Sequence, residues 1–125
     1  MKKVLLINGS PNEKGCTALA LEEIASTLKK RGIESDIKQI GKKPVAGCIA
    51  CYSCARTGRC AFNDAVNEII ESLESYGALV VGSPVYYGSA TGQICCLLDR
   101  LFFAGGRLMD GKIGACVVSC RRGGA

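Results

Sequence analysis

Two apolar runs, Val4-Leu5-Leu6-Ile7 and Ala78-Leu79-Val80-Val81, constrain this chain more than any other feature. Neither alternates with polar residues, so each predicts a strand buried on both faces. Strands of that kind belong to parallel sheets with helices on either side, since neither face can be left in water. Helical patterns stand where such a fold needs them. Leu21, Ile24, Ala25 and Leu28 recur at i, i+3, i+4 and i+7, and Gly32 follows the basic turn Lys29-Lys30-Arg31 as a C-terminal cap. Val66, Ile69, Ile70 and Leu73 repeat the pattern behind Asp64, a good N-cap, with Gly77 expected to close that helix. Ile94, Leu97, Leu98 and Leu101 mark a third helix. Residues 33–40 alternate loosely, as an edge strand does, and residues 113–119 predict a last strand. The order β-α-β-loop-α-β-α-β predicts a three-layer, doubly wound α/β fold whose parallel sheet has strand order 2-1-3-4.

At 125 residues the chain is expected to form one domain, residues 1–125. Apolar residues make up 48% and charged residues 22%, a globular balance, and no apolar run approaches membrane-spanning length. Met1-Lys2-Lys3 leads straight into a strand, so neither a signal peptide nor a membrane partner is expected. The net charge of +5 is spread over helix ends and loops, and Trp is absent, which argues against nucleic acid. There is no His, which removes Ser-His and Cys-His catalysis and every imidazole metal site. An enzyme built this way would take its chemistry from a cofactor. Nine cysteines without a secretory signal point to a reducing compartment, the cytoplasm.

In a doubly wound sheet, ligands bind beyond the carboxyl ends of the strands, beside the point where strand order reverses. Here that point lies between the first and third strands. The loop at 9–17 carries hydroxyls at Ser10 and Thr17 and leads into a helix whose first amides have no partner inside the helix, a ready anion site. The loop at 83–88 faces it, and residues 120–124 lie alongside. The first loop has neither the G-x-G-x-x-G spacing of dinucleotide folds nor the Gly-Lys-Ser/Thr of Walker loops. A phosphate there would rest on hydroxyls and backbone amides.

Asn8-Gly9-Ser10-Pro11-Asn12-Glu13-Lys14-Gly15-Cys16-Thr17, with Gly82-Ser83-Pro84-Val85-Tyr86-Tyr87-Gly88 and Leu98-Asp99-Arg100, resembles the NADPH-dependent FMN reductase group of flavodoxin-like proteins. The tail Val117-Val118-Ser119-Cys120-Arg121-Arg122-Gly123-Gly124 is similar to that group too, so the resemblance spans essentially the whole chain. It implies an oxidoreductase that binds FMN and passes electrons from NAD(P)H to a small acceptor, with no side chain as obligatory acid or base. It implies that Ser10, Asn12, Cys16 and Thr17 hold the FMN phosphate. Pro84, Val85, Tyr86, Tyr87 and Gly88 would border the isoalloxazine ring, with Ser83 also at the cofactor, and Arg122 and Gly123 would approach the ring's other edge. Taken alone, a Gly-Ser-Pro turn is only a turn, and Tyr86 and Tyr87 are half-buried packing residues. Members of the group carry a fifth strand and a closing helix, so this chain is expected to be cut short after its fourth strand, leaving an open edge. A homodimer or homotetramer is implied as well.

The loop at 41–63 contains Cys48, Cys51, Cys54 and Cys60 in the spacing C-x2-C-x2-C-x5-C. Such compact spacing lets one loop wrap a cubane 4Fe-4S iron–sulfur cluster, and it resembles the motif of iron–sulfur flavoproteins in the same superfamily, where the cluster exchanges single electrons with FMN. A four-cysteine zinc site normally has two C-x2-C pairs set farther apart. Free thiols in a loop that covers the flavin are the remaining reading. Cys95, Cys96 and Cys116 fall on expected core elements and read as small buried hydrophobes, whereas Cys16 and Cys120 flank the crevice. Three functions stay open at this point: an FMN reductase, a one-electron iron–sulfur carrier, and a non-catalytic fragment of the fold.

Overall fold

Leu6 and Ile7 are both fully shielded from solvent although they project from opposite faces of one strand. Leu6 packs with Val4, Leu21 and Val80, and Ile7 with Leu5, Ile69, Ile94 and Leu97. A strand with a separate core on each side is what an unbroken apolar run requires. The computed structural model describes residues 2–123, so Gly124 of the tail motif lies outside the described residues. The elements are β1 (Lys3–Asn8), α1 (Cys16–Lys30), β2 (Ser35–Gln39), α2 (Ser53–Thr57), α3 (Ala65–Ser72), β3 (Tyr76–Pro84), α4 (Gly92–Gly105) and β4 (Ile113–Ser119). All pairings are parallel and the sheet order is β2-β1-β3-β4, the 2-1-3-4 order expected for a flavodoxin-like fold. α1 covers one face, and α3 and α4 cover the other.

Helix ends follow local chemistry. Gly32, at φ +76°, closes α1: its N–H donates to the Lys29 carbonyl and that of Ile33 to the Leu28 carbonyl, the two bonds of a Schellman cap. Asp64 caps α3 by accepting from the Val66 N–H at 3.1 Å. Gly77 does not close α3; it lies inside β3. The helix ends at Ser72 instead, where the Ser72 hydroxyl donates to the Ile69 carbonyl and the Ser75 hydroxyl to the Ser72 carbonyl. Side-chain bonds of this kind take up the last carbonyls, and no left-handed glycine is needed.

Two of the three cysteines expected in the core are outside it. Cys95 is exposed because Ile94, Leu97 and Leu101 occupy the inner face of α4, and the next residue along the helix points away. Cys116 is exposed because the face of β4 beyond α4 has no helix over it among the described residues. Cys96 is half-buried. Leu98, Phe102, Met109, Ile113, Cys116 and Val118 border an apolar trench of about 560 Å³ along that face. The outer edge of β4 is unpaired among the described residues.

The sheet and its helices approach most closely at Gly9, where an added Cβ would lie 2.8 Å from both the Gly82 carbonyl oxygen and the Ile94 Cβ. Gly9→Ala is expected to destabilise the protein by about 1–3 kcal/mol, read as a lower urea midpoint at unchanged slope. An unchanged midpoint would show that β1 and α4 can separate at no cost.

Candidate functional site

The carboxyl ends of β1, β3 and β4 are tied together by short hydrogen bonds. The Gly9 N–H donates to the Gly82 carbonyl at 2.7 Å. Ser119, the last residue of β4, meets the Thr17 hydroxyl at 2.9 Å through its own hydroxyl, and its carbonyl accepts from the Val85 N–H at 2.9 Å. Thr91 caps α4 by accepting from the Ile94 N–H, donates its hydroxyl to the Gly9 carbonyl at 2.7 Å, and gives its N–H to the Ser83 hydroxyl. Three loops and the starts of two helices are therefore one hydrogen-bonded unit. Neither Thr91 nor Ser119 was singled out from the sequence. Thr91, three residues before the first core residue of α4, carried the signature of an N-cap; Ser119 carried no local signal.

At the mouth of this unit, α1 begins at Gly15 with no side-chain cap, whereas Asp64 and Thr91 cap α3 and α4. Its leading amides and the positive end of its dipole face the loop at 9–17, an arrangement that suits an anion. The Ser10 hydroxyl oxygen accepts from the Asn12 N–H at 3.1 Å, which leaves its proton available to a ligand. Ser10 and Thr17 are buried, while Asn12 and Cys16 are exposed. An open recess of about 730 Å³ borders Pro11, Asn12, Lys14, Gly15 and Lys42.

Ser83 and Pro84 belong to the end of β3 rather than to a loop. The Ser83 hydroxyl is engaged by the Thr91 N–H and donates to the Pro84 carbonyl, so it shapes the turn. The turn itself is Tyr86-Tyr87-Gly88-Ser89, closed by Tyr86 N–H to Ser89 O at 2.8 Å and Ser89 N–H to Tyr86 O at 3.2 Å. Tyr87 at φ +51° and Gly88 at φ +78° give it the geometry of a type I′ hairpin. This turn lifts Tyr87 wholly off the sheet, so it is not a half-buried packing residue, whereas Tyr86 keeps 48% of its surface exposed. A left-handed tyrosine costs about 1–2 kcal/mol, yet here it carries an aromatic ring into solvent. Arg122 and Gly123 are exposed just beyond β4.

The cysteine loop forms a second feature. Cys48, Cys51, Cys54 and Cys60 all border one small apolar cavity of about 30 Å³, with Phe62, Phe103 and Ala104 behind them. Ala50 and Tyr52 are left-handed at φ 55° and 57°, which coils the Cys-x2-Cys-x2-Cys stretch, and the unpredicted helix α2 carries Cys54. The Cys51 thiol is held below its usual pKa by the Ser53 backbone N–H and then by the Ser53 side chain. The Cys60 sulfur accepts from Nε of Arg100 at 3.2 Å. Four thiols with N–H groups aimed at sulfur are the donor type that thiophilic clusters use, but a cavity of about 30 Å³ admits little more than a water molecule and would have to widen to take one. Among the described residues, no three Cys, Asp or Glu side chains are gathered at a common ligating point.

Arg100 supports that loop from beneath. It is 1% exposed, and every N–H of its guanidinium is used. Nε donates to Cys60, one terminal nitrogen to the Ala46 carbonyl and Asp64 Oδ2, and the other to the Phe62 carbonyl and Asp64 Oδ1, with both carboxylate bonds 2.8 Å long. The Phe62 ring lies 5.2 Å away, within cation–π range. Burial alone would push the Asp64 carboxyl up, but the Arg100 guanidinium and the Val66 N–H outweigh it and hold the pKa below its usual 3.8.

A crevice lined by three polar loops at the carboxyl edge of a 2-1-3-4 parallel sheet defines a flavodoxin-like protein. The model of the NADPH-dependent FMN reductase family matches residues 2–125, and the chain belongs to that family. It is 35% identical over 98 residues to an iron-sulfur flavoprotein of Methanocaldococcus jannaschii, a match covering 78% of this chain and 51% of that protein. It is also 35% identical over 127 residues to an iron-sulfur flavoprotein of Archaeoglobus fulgidus, covering 98% of this chain and 62% of the relative. The chain thus spans between half and two thirds of the length of these relatives. Among solved structures, the NAD(P)H:quinone oxidoreductase from Methanothermobacter marburgensis superposes with a TM-score of 0.69 at 16% identity over 95% of this chain and 66% of that one, a likeness of fold.

Arg100→Met is expected to cost roughly 2–4 kcal/mol in urea unfolding, short of the fully buried limit because the Asp64 side chain keeps 35% of its surface. The folded-state pKa of Asp64 lies below its unfolded value, so its contribution is complete above about pH 4 and is lost as pH falls through the lower folded value. Stability measured from pH 6 downward should therefore fall less steeply in the variant than in the wild type. Parallel curves would show that the pair contributes nothing to folding.

Proposed function

We propose that this chain is a single FMN-binding domain, with its cysteine-rich loop at 41–63, that takes electrons from NAD(P)H and passes them to a small acceptor. The observation that carries this reading is the pairing of an uncapped helix start, flanked by Ser10 and Thr17, with the exposed tyrosine turn across the same crevice. The family to which the chain belongs supports it. Bound FMN would supply the hydride- and electron-accepting chemistry. The chain's own part is binding and orientation. Ser10, Asn12, Cys16 and Thr17 would surround the phosphate, and Pro84, Val85, Tyr86, Tyr87 and Gly88 would border the ring, with Ser83 shaping that turn from below. Arg122 and Gly123 would close the ring's far edge.

A second reading, an iron–sulfur flavoprotein that carries single electrons, is favoured by the four cysteines around one cavity and by relatives that bear that name. Cys48, Cys51, Cys54 and Cys60 would then hold a 4Fe-4S cluster. Self-association into a homodimer or homotetramer is part of the same reading, as the family resemblance implies. A cytoplasmic location is supported by the nine cysteines; no helix among the described residues is long and apolar enough to cross a membrane.

The test is a visible spectrum of anaerobically purified protein before and after NADPH. Flavin bands that bleach on addition support the reductase, and a broad brown absorbance with iron and acid-labile sulfide supports the carrier. Protein that stays colourless after incubation with FMN overturns both. Thr17→Val is expected to weaken FMN binding by on the order of 1–3 kcal/mol through loss of a phosphate hydrogen bond. Equal affinity for wild type and variant would move the phosphate elsewhere.

A further inference from the structure

The last residue of β2 reaches under the loop at 9–17 and takes part in a closed ring of hydrogen bonds. Gln39 Nε2 donates to the Ser10 carbonyl at 2.7 Å. Asn8 Nδ2 donates to Gln39 Oε1 at 2.7 Å, and the Ser10 N–H returns to Asn8 Oδ1 at 2.9 Å. Each side-chain amide thereby uses both ends, so neither can flip without breaking two bonds. Asn8 is 1% exposed, and the ring is anchored to the sheet because the Ile40 N–H donates to the Asn8 carbonyl at 3.2 Å.

The ring turns the loop's acceptors away from the crevice. A carbonyl facing a phosphate is repulsive, and an amide or hydroxyl proton is attractive. The Gly9 carbonyl is taken by Thr91 and the Ser10 carbonyl by Gln39. The Gly9, Ser10 and Asn12 amides are all engaged inward, and Pro11 has none to offer. What remains to face an anion is the Ser10 hydroxyl proton, the leading amides of α1 and, where Ser119 is the donor of the bond they share, the Thr17 hydroxyl proton. We propose that Gln39 is a positioning residue that makes this crevice selective for the phosphorylated flavin, by holding the Ser10 carbonyl down and its hydroxyl outward. The proposal rests on the FMN reading above and assigns to a β2 residue, outside every loop that borders the cofactor, the discrimination between FMN and riboflavin.

The experiment is a fluorescence-quenching titration of flavin-free full-length protein with FMN and, separately, with riboflavin. Gln39→Met, nearly isosteric, is expected to lose about tenfold or more in FMN affinity while riboflavin binding stays within about twofold. Gln39→Met and Ser10→Ala should also be non-additive for FMN, the double variant binding no more weakly than the worse single one, because both act through one hydroxyl. Should Gln39→Met fail to fold, Gln39→Glu takes its place. It keeps the acceptor for Asn8 but sets a carboxylate oxygen against the Ser10 carbonyl, and because salt screens a part-buried charge poorly it is read by its non-additivity with Ser10→Ala rather than by affinity alone. Equal losses for both flavins, or fully additive losses, overturn the proposal and leave Gln39 as general support for the fold. Wild type that binds FMN and riboflavin equally well overturns it while flavin binding stands. Wild type that binds neither overturns the FMN reading and the proposal with it.

Discussion

The guanidinium of Arg100 is the contact on which the less regular half of the molecule depends. None of residues 41–63 is fully buried, and only the five-residue α2 interrupts their coil. What orders them is a buried cation from the middle of α4 that binds two of the loop's carbonyls, one of its sulfurs and the carboxylate that caps α3. Removing a charge from water is costly, and the cost is offset here because all five donors find acceptors and Asp64 neutralises the group. One side chain thus joins the start of α3, the body of α4 and both ends of the cysteine stretch. The loop inherits the rigidity of the helices it is tied to.

The crevice depends on a different economy of contacts. Its floor is small, with glycines at the closest approaches of β1, β3, α1 and α4. Its walls are pinned by threonine and serine hydroxyls that tie helix starts to strand ends distant in sequence, Thr17 to Ser119 and Thr91 to Gly9. Most polar groups at the carboxyl edge are consumed in this way, and few face outward. Those few are donors at one end and an exposed aromatic turn at the other. A site assembled from committed donors and acceptors is preorganised, so a ligand need not bear the cost of ordering it.

The two features meet through α4. Thr91 at its start belongs to the crevice, and Arg100, nine residues and about two and a half helical turns further along, belongs to the cysteine loop. If both sites are filled, the helix between them is a short and stiff link. The sulfur-lined cavity and the carboxyl-edge crevice are then parts of one scaffold that share an element.

The sequence by itself determined the layers, the strand order and the carboxyl-edge crevice. Those rest on unbroken apolar runs, helical periodicity and glycine placement, which are local signals with a single solution once a parallel sheet must be covered on both faces. Asp64 as an N-cap and Gly32 as a C-cap were legible for the same reason. Only the tertiary structure decided the rest. Gly77 was legible as a helix stop by residue type, but serine hydroxyls ended the helix first. Cys95 and Cys116 read as core residues, and their exposure depends on which neighbours cover α4 and β4. The roles of Ser119, Gln39 and Arg100 were illegible because each acts on a residue at least 29 positions away. A hydrogen bond between side chains so far apart leaves no periodicity or spacing in the chain, and it exists only once the sheet has brought its partners together.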